Sequence, residues 1–114
     1  MRLLFLVLLN LIPLFLSGKN IHQDRSALWV VRDALTTKAE IDEIISTAID
    51  LNISDIFIQI RALGQTYYDS HWESKSVTII DNFDPLQYII NRSAPFNLRI
   101  HAWVNMFYVW AKNT

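Results

Sequence analysis

The sequence contains no cysteine, only two glycines and three prolines, and no excess of either charge. The absence of cysteine excludes disulfide bonds, thiolate metal sites, a catalytic cysteine and a lipid-modified cysteine. The scarcity of glycine and proline argues against a disordered chain. Ten basic and eleven acidic residues are well mixed, so the composition indicates no nucleic-acid partner. No metal-ligand spacing, phosphate loop or nucleophile elbow is present, and we therefore expect no metal and no cofactor.

The chain does contain a short apolar leader. Leu3–Leu16 is apolar except for Asn10 and Pro13, and a small, polar segment follows it. The 14 residues of this run are fewer than the roughly 20 that a membrane span needs. The pattern predicts a secretory signal peptide over residues 1–18, with an uncleaved anchor as the alternative. Residues 19–114 would then work in the periplasm or outside the cell, with no further membrane contact.

The apolar periodicity of residues 19–114 predicts an α/β fold. Runs of β-branched and aromatic residues predict strands, and apolar residues at helical spacing predict helices between them. The first helix should follow a capping box of Thr37 and Glu40, and the second should begin at Asp84-Pro85, an N-cap followed by a helix-starting proline. The expected strands are Ala27–Val31, Asp55–Ile60 and Leu98–Val104.

The alternation of strands and helices predicts a parallel sheet joined by crossovers. Asn52 and Pro95 are expected to end the two helices. The first strand is almost wholly apolar, which is typical of a strand buried on both faces, so Trp29 is expected in the core. Arg61–Phe83 has no regular period, and a loop of that length is usually functional or disordered. Its aromatic content argues against disorder.

Five polar and aromatic residues fall at the ends of the second and third strands. Ligands bind at the C-terminal ends of strands in barrels and open α/β sheets. Because side chains alternate along a strand, Gln59 and Arg61 should share one face, and so should His101, Trp103 and Asn105. This set offers planar hydrogen-bonding groups and an aromatic plate, which suit the hydroxyls and the C–H face of a sugar ring. We therefore expect a carbohydrate-binding site.

Structural roles are open alternatives for the same residues. Arg61 would serve equally as an ion-pair partner for Asp33 or Asp55. His101 would serve as a hydrogen-bonded core residue, and Trp103 as a side chain that fills the interior.

Three aromatic residues of the long loop also have a structural alternative. Tyr67, Tyr68 and Trp72 would pack the loop onto the sheet instead of contacting a ligand.

Five segments in one order resemble a known family. They are Arg25–Arg32, Phe57–Arg61, Tyr67-Tyr68, Asp84–Leu86 and His101–Asn105, the last being the most distinctive. Together they resemble the N-terminal part of the glycosyl-hydrolase-like 10 family, secreted bacterial (β/α)₈-barrel proteins. Nearly all of the chain behind the leader, to about residue 110, takes part in the resemblance.

The resemblance implies a glycoside hydrolase fold that acts on a polysaccharide, bacterial cell-wall glycan being one such substrate. It implies substrate-cleft roles for Gln59, Arg61, His101, Trp103 and Asn105. Residues 19–114 would form about three strands and two helices of a TIM barrel, whose full length is about 250 residues, so the remainder of the barrel would be needed as a partner.

Hydrolysis of a glycoside needs two carboxylates. They would be expected on later strands of such a barrel, and Asp33 is the carboxylate that this sequence places near a strand end. We therefore expect no catalytic residue in this chain. The alternatives are a non-catalytic carbohydrate-binding or interaction protein and the product of a decayed gene.

Overall fold

The computed structural model describes residues 25–107 of the chain. The predicted leader, residues 1–18, lies outside the described residues. Within residues 25–107, no helix has the length and apolar character that crossing a membrane requires.

The described residues form a mixed α/β fold with two α-helices and a four-stranded sheet. The helices are α1 (Lys38–Asp50) and α2 (Pro85–Ser93), and the strands are β1 (Ala27–Val30), β2 (Asp55–Ala62), β3 (Gln65–Thr66) and β4 (Arg99–Val104). Short 3₁₀ turns follow β1 and α2, at Arg32–Ala34 and Ala94–Phe96. The predicted order of strands and helices is confirmed.

Capping residues and helix-ending residues account for where both helices begin and end. The Thr37 hydroxyl accepts a hydrogen bond from the backbone N–H of Glu40 (3.2 Å), and the Glu40 carboxylate accepts one from the backbone N–H of Thr37 (3.0 Å). Asp84 caps α2 by accepting a hydrogen bond from the backbone N–H of Gln87. After α1, Asn52 adopts a left-handed conformation. Pro95 lies in the 3₁₀ turn just past the end of α2, as predicted.

The central strand of the sheet is β2. It pairs in parallel with β1 through residues 55–58 and, on its other side, with β4 from Asp55 onward. Arg61 pairs with Val104 on one side and with Thr66 on the other, so the short antiparallel β3 lies on the β1 side of β2. The predicted strand thus runs two residues further than Ile60, and the long loop begins with a tight hairpin through Leu63 and Gly64, both at positive φ.

The hydrophobic core lies between the sheet and the two helices, all on one face of the sheet. Alternate strand residues point into it, and they pack on the apolar stripes of α1 and α2. The helices are also joined by polar contacts, because Asp42 of α1 accepts hydrogen bonds from Tyr88 and Arg92 of α2. The fully buried side chains include Leu35, Ile41, Ile56, Ile58 and Ile89.

The opposite face of the sheet carries no helix among the described residues, and this corrects the expectation for Trp29. Val30 is 5% exposed, whereas Trp29 is 63% exposed. The two residues are neighbours on a strand, so they point to opposite faces, and only one face is covered. Uniform apolar composition in β1 therefore does not mean burial on both sides here.

The capping box of α1 provides a test of this local architecture. Thr37→Ala removes the hydroxyl that accepts the Glu40 N–H, and loss of such a cap costs about 1 kcal/mol. We expect the free energy of unfolding to fall by about that amount in urea denaturation followed by circular dichroism. Thr47→Ala, at an exposed position within α1, is the matched control and should be neutral or slightly stabilising. Equal stabilities of the two variants would contradict the role of the cap.

Candidate functional site

The uncovered face of the sheet presents a row of aromatic rings across three strands. Trp29 of β1 stacks on Phe57 of β2 with centroids 4.5 Å apart, and Phe57 stacks on His101 of β4 at the same distance. The register explains the row, since Trp29 pairs with Phe57 and Phe57 pairs with His101. Trp103 meets the edge of Trp29 at 5.8 Å in a near-perpendicular arrangement. We call Trp29, Phe57, His101 and Trp103 the aromatic row.

One end of this row is held by a carboxylate at the start of β2. Asp55 accepts two hydrogen bonds from the Arg99 guanidinium (2.8 and 2.7 Å), and its Oδ1 lies 2.8 Å from Nε2 of His101. The Ser54 hydroxyl donates a further hydrogen bond to it. Arg99, followed by Ser54 and His101, holds the pKa of the Asp55 carboxyl well below its usual range. His101 is therefore hydrogen-bonded and stacked near the start of the strands, but its side chain is 40% exposed, so it is not the core residue of its structural alternative.

Gln59 lies further along β2 and is almost fully buried, at 4% exposure. Its side-chain carbonyl accepts hydrogen bonds from the backbone N–H of Arg32 (3.3 Å) and from the Arg32 guanidinium (3.4 Å). These contacts join the end of β1 to β2. Gln59 pairs with Trp103 in the sheet, so it borders the aromatic row.

Arg61 has a partner that neither alternative foresaw. Its guanidinium makes a two-oxygen contact with Glu73 of the long loop, with Nε at 2.7 and 3.0 Å from the two carboxylate oxygens. Nη1 donates to the backbone carbonyls of Asn105 and Met106. The Arg61 guanidinium lowers the pKa of Glu73, and Glu73 in turn raises the pKa of Arg61. Asp33 and Asp55 instead pair with Arg32 and Arg99.

A β-bulge changes the alignment expected for these residues. The register between β2 and β4 shifts between Gln59 and Arg61, so Gln59 opposes Trp103 but Arg61 opposes Val104. A bulge inserts an extra residue and re-aims the side chains beyond it. Gln59 and Arg61 therefore align differently with β4, although Ile60 between them lies in the core with Ile58. Asn105 joins this end of the sheet by donating its backbone N–H to the carbonyl of Arg61 (3.1 Å).

The structure thus groups the five predicted site residues in two places. His101 and Trp103 belong to the aromatic row, which Gln59 borders, while Arg61 and Asn105 meet at the C-terminal edge. Sequence reasoning missed Trp29, Phe57 and Glu73. The alternation of Trp29 with Leu28 and Val30 was the available signal for Trp29. No spacing rule connects Glu73 with Arg61, because a loop brings them together.

The described residues offer aromatic plates and hydrogen-bonding groups. Within residues 25–107, no three histidine or carboxylate side chains gather into a cluster that could hold a metal ion. No protein-family model matches the sequence, and no match is found among curated proteins. What the face can do chemically is stack against a flat apolar surface and exchange hydrogen bonds at its borders.

The Asp55 cluster predicts a pH-dependent stability. The pKa of Asp55 is depressed in the folded state, so its contribution is present above the unfolded pKa of about 4 and is lost as pH falls below it. Asp55→Asn should therefore unfold at a lower urea concentration than wild type at pH 7, and the difference should narrow below about pH 4. Asp33→Asn is the control, because the Asp33 side chain is 75% exposed. Equal unfolding midpoints of Asp55→Asn and wild type at pH 7 would refute the assigned role.

Proposed function

We propose that this chain forms the glycan-binding wall of an exported, glycoside-hydrolase-like barrel protein, and that the C-terminal end of its uncovered sheet face, where Trp103 meets Trp29, contacts a polysaccharide such as bacterial cell-wall glycan. The observation that carries the proposal is the aromatic row beside Gln59. A pyranose ring has a C–H face that packs on an aromatic plate and hydroxyls at its rim that need hydrogen bonds. The row supplies the plate, and the half-buried side-chain amide of Asn105, two residues past Trp103, is a group that can supply such bonds.

The exposure of the rings supports this assignment. Trp29 is 63% exposed although it stacks on Phe57, so one face of its indole remains accessible to a ligand. Phe57 is itself held between Trp29 and His101, and His101 is anchored by Asp55. A plate that is already fixed loses little conformational freedom when a ligand binds, which favours affinity.

The order of the strands and the position of the helices support the proposed barrel fold. β1, β2 and β4 are parallel and adjacent in chain order, and both helices pack on the same face. A doubly wound sheet reverses direction and carries helices on both faces, whereas a (β/α)₈ barrel carries them on one. A cleft of about 460 Å³ along β1 and α1 lies where a further strand and helix of such a barrel would pack.

Binding, and not hydrolysis, is the role we propose for the described residues. Asp33 and Glu73 are the carboxylates beside the C-terminal ends of the described parallel strands. Arg61 holds Glu73 ionised, which does not suit it for donating a proton, and Asp33 is 75% exposed and lies 3.6 Å from the Arg32 guanidinium. A non-catalytic carbohydrate-binding protein is accordingly the second candidate, and it relies on the same face.

The aromatic plate provides the direct test. Trp29→Ala and Trp103→Ala should each weaken binding of a hexasaccharide of β-1,4-linked N-acetylglucosamine to the full chain. A lost aromatic contact is worth about 0.5–1.5 kcal/mol, or roughly two- to tenfold in affinity. Isothermal titration calorimetry gives the measurement.

Leu51→Ala is the matched control, because Leu51 is 62% exposed but follows α1 on the helical side. It should bind as wild type does. The proposal fails if wild type binds neither the hexasaccharide nor insoluble peptidoglycan, or if the two tryptophan variants bind as tightly as Leu51→Ala.

A further inference from the structure

The long loop carries an aromatic side chain that the fold does not use. Trp72 is 93% exposed, whereas Tyr67 of the same loop is 3% exposed and packs in the core. The structural alternative of packing the loop onto the sheet therefore describes Tyr67 and the partly buried Tyr68, and not Trp72. The Trp72 indole is therefore accessible to a ligand.

The segment that presents Trp72 is firmly held. The Ser70 hydroxyl accepts hydrogen bonds from the backbone N–H groups of Trp72 (3.1 Å) and Glu73 (3.2 Å). Glu73 is bound by Arg61, and Lys75 is bound by Asp69 at 2.7 Å. These contacts on both sides of Trp72 fix its backbone relative to β2.

Arg61 links this loop to a second exposed aromatic residue. Its Nη1 donates to the carbonyls of Asn105 and Met106, and the next residue, Phe107, is 95% exposed. Trp72 and Phe107 are thus each one residue away from a group that Arg61 binds. Both lie at the C-terminal ends of parallel strands, where α/β sheets bind their ligands.

We propose that Trp72 and Phe107 form a second glycan contact, an aromatic rim at the C-terminal edge of the sheet that Arg61 organises. This inference rests on the proposed glycan-binding function and extends it from the aromatic row to a longer saccharide. Arg61 acts here as a positioning residue for the rim and not as a direct ligand. Phe57 and Arg61 are four residues apart along β2, about 13 Å at the rise of a strand.

The charges around the rim favour a neutral, hydroxyl-rich ligand. Arg61 is paired with Glu73, and Lys75 is paired with Asp69, so these four charges compensate one another. An acidic or basic macromolecule would find no net charge to bind among them. The side-chain amide of half-buried Asn105 is a group that exchanges hydrogen bonds with hydroxyls.

The test compares a short and a long saccharide. Trp72→Ala and Phe107→Ala should each weaken binding of the β-1,4-linked N-acetylglucosamine hexasaccharide about two- to tenfold, as expected for one aromatic contact. Binding of the disaccharide, which is too short to span the aromatic row and the rim, should stay within twofold of wild type. Trp72→Phe keeps an aromatic ring and should retain most of the affinity.

Val77→Ala is the matched control, since Val77 is 89% exposed on the same loop and is not among the residues that Arg61 binds. It should bind both saccharides as wild type does. Glu73→Gln tests the positioning role: it should weaken hexasaccharide binding alone, and the double variant with Trp72→Ala should bind no more weakly than Trp72→Ala. A purely structural role of the ion pair would instead make the two losses additive.

The outcomes separate the two proposals. If wild type binds neither saccharide, the proposed function and the rim are both wrong. If wild type binds the hexasaccharide and Trp72→Ala and Phe107→Ala bind it equally well, the rim is wrong and the aromatic row stands. If Trp72→Ala and Phe107→Ala lose as much affinity for the disaccharide as for the hexasaccharide, the rim is also wrong as a distinct contact.

Discussion

Burial on one face of the sheet is the constraint on which the rest of this structure depends. Both helices pack against the side chains of Val30, Ile56 and Ile58, so the hydrophobic core lies entirely on that side. Side chains alternate along a strand, so Trp29, next to Val30, and Phe57, between Ile56 and Ile58, must point to the face that no described helix covers. That face is stabilised by contacts between neighbouring strands, because no second layer among the described residues buries it.

Polar residues of β2 that could bind a ligand are instead bonded to other parts of the chain. Gln59 joins β2 to the 3₁₀ turn that follows β1, and Asp55 joins β2 to β4. Arg61 joins β2 to the residues that follow β4 and to the long loop. Each contact crosses from one chain segment to another. The polar groups at the sheet therefore hold the segments in register, and they leave the aromatic surfaces as the parts that remain accessible.

Sequence patterns predicted those features that depend on neighbours in the chain. The capping box of Thr37 and Glu40, the N-cap at Asp84 and the three parallel strands follow from local hydrogen bonding and apolar spacing. The exposure of Trp29 did not follow, because composition alone does not reveal how many faces of a strand are covered. The bulge after Gln59 was likewise invisible, since it arises from how two strands align and not from either one.

The same distinction between local and long-range contacts applies to the candidate site. Gln59, His101 and Trp103 could be selected because strand ends and side-chain alternation are properties of short segments. The Arg61–Glu73 pair could not be foreseen, because its partners are twelve positions apart and the loop that joins them has no regular period.

The anchoring of the aromatic rings bears directly on what such a face can do. A flexible indole would lose side-chain freedom on binding a ligand, at a cost of about 0.5–1.5 kcal/mol for each immobilised side chain. Here Trp29 rests on Phe57, Phe57 rests on His101, and His101 is bound to Asp55, whose carboxylate also holds Arg99. The Asp55–Arg99 ion pair at the start of the strands thus helps to fix the exposed aromatic row. If the face binds glycan as proposed, a change at Asp55 would alter the surface that the glycan meets without touching the glycan itself.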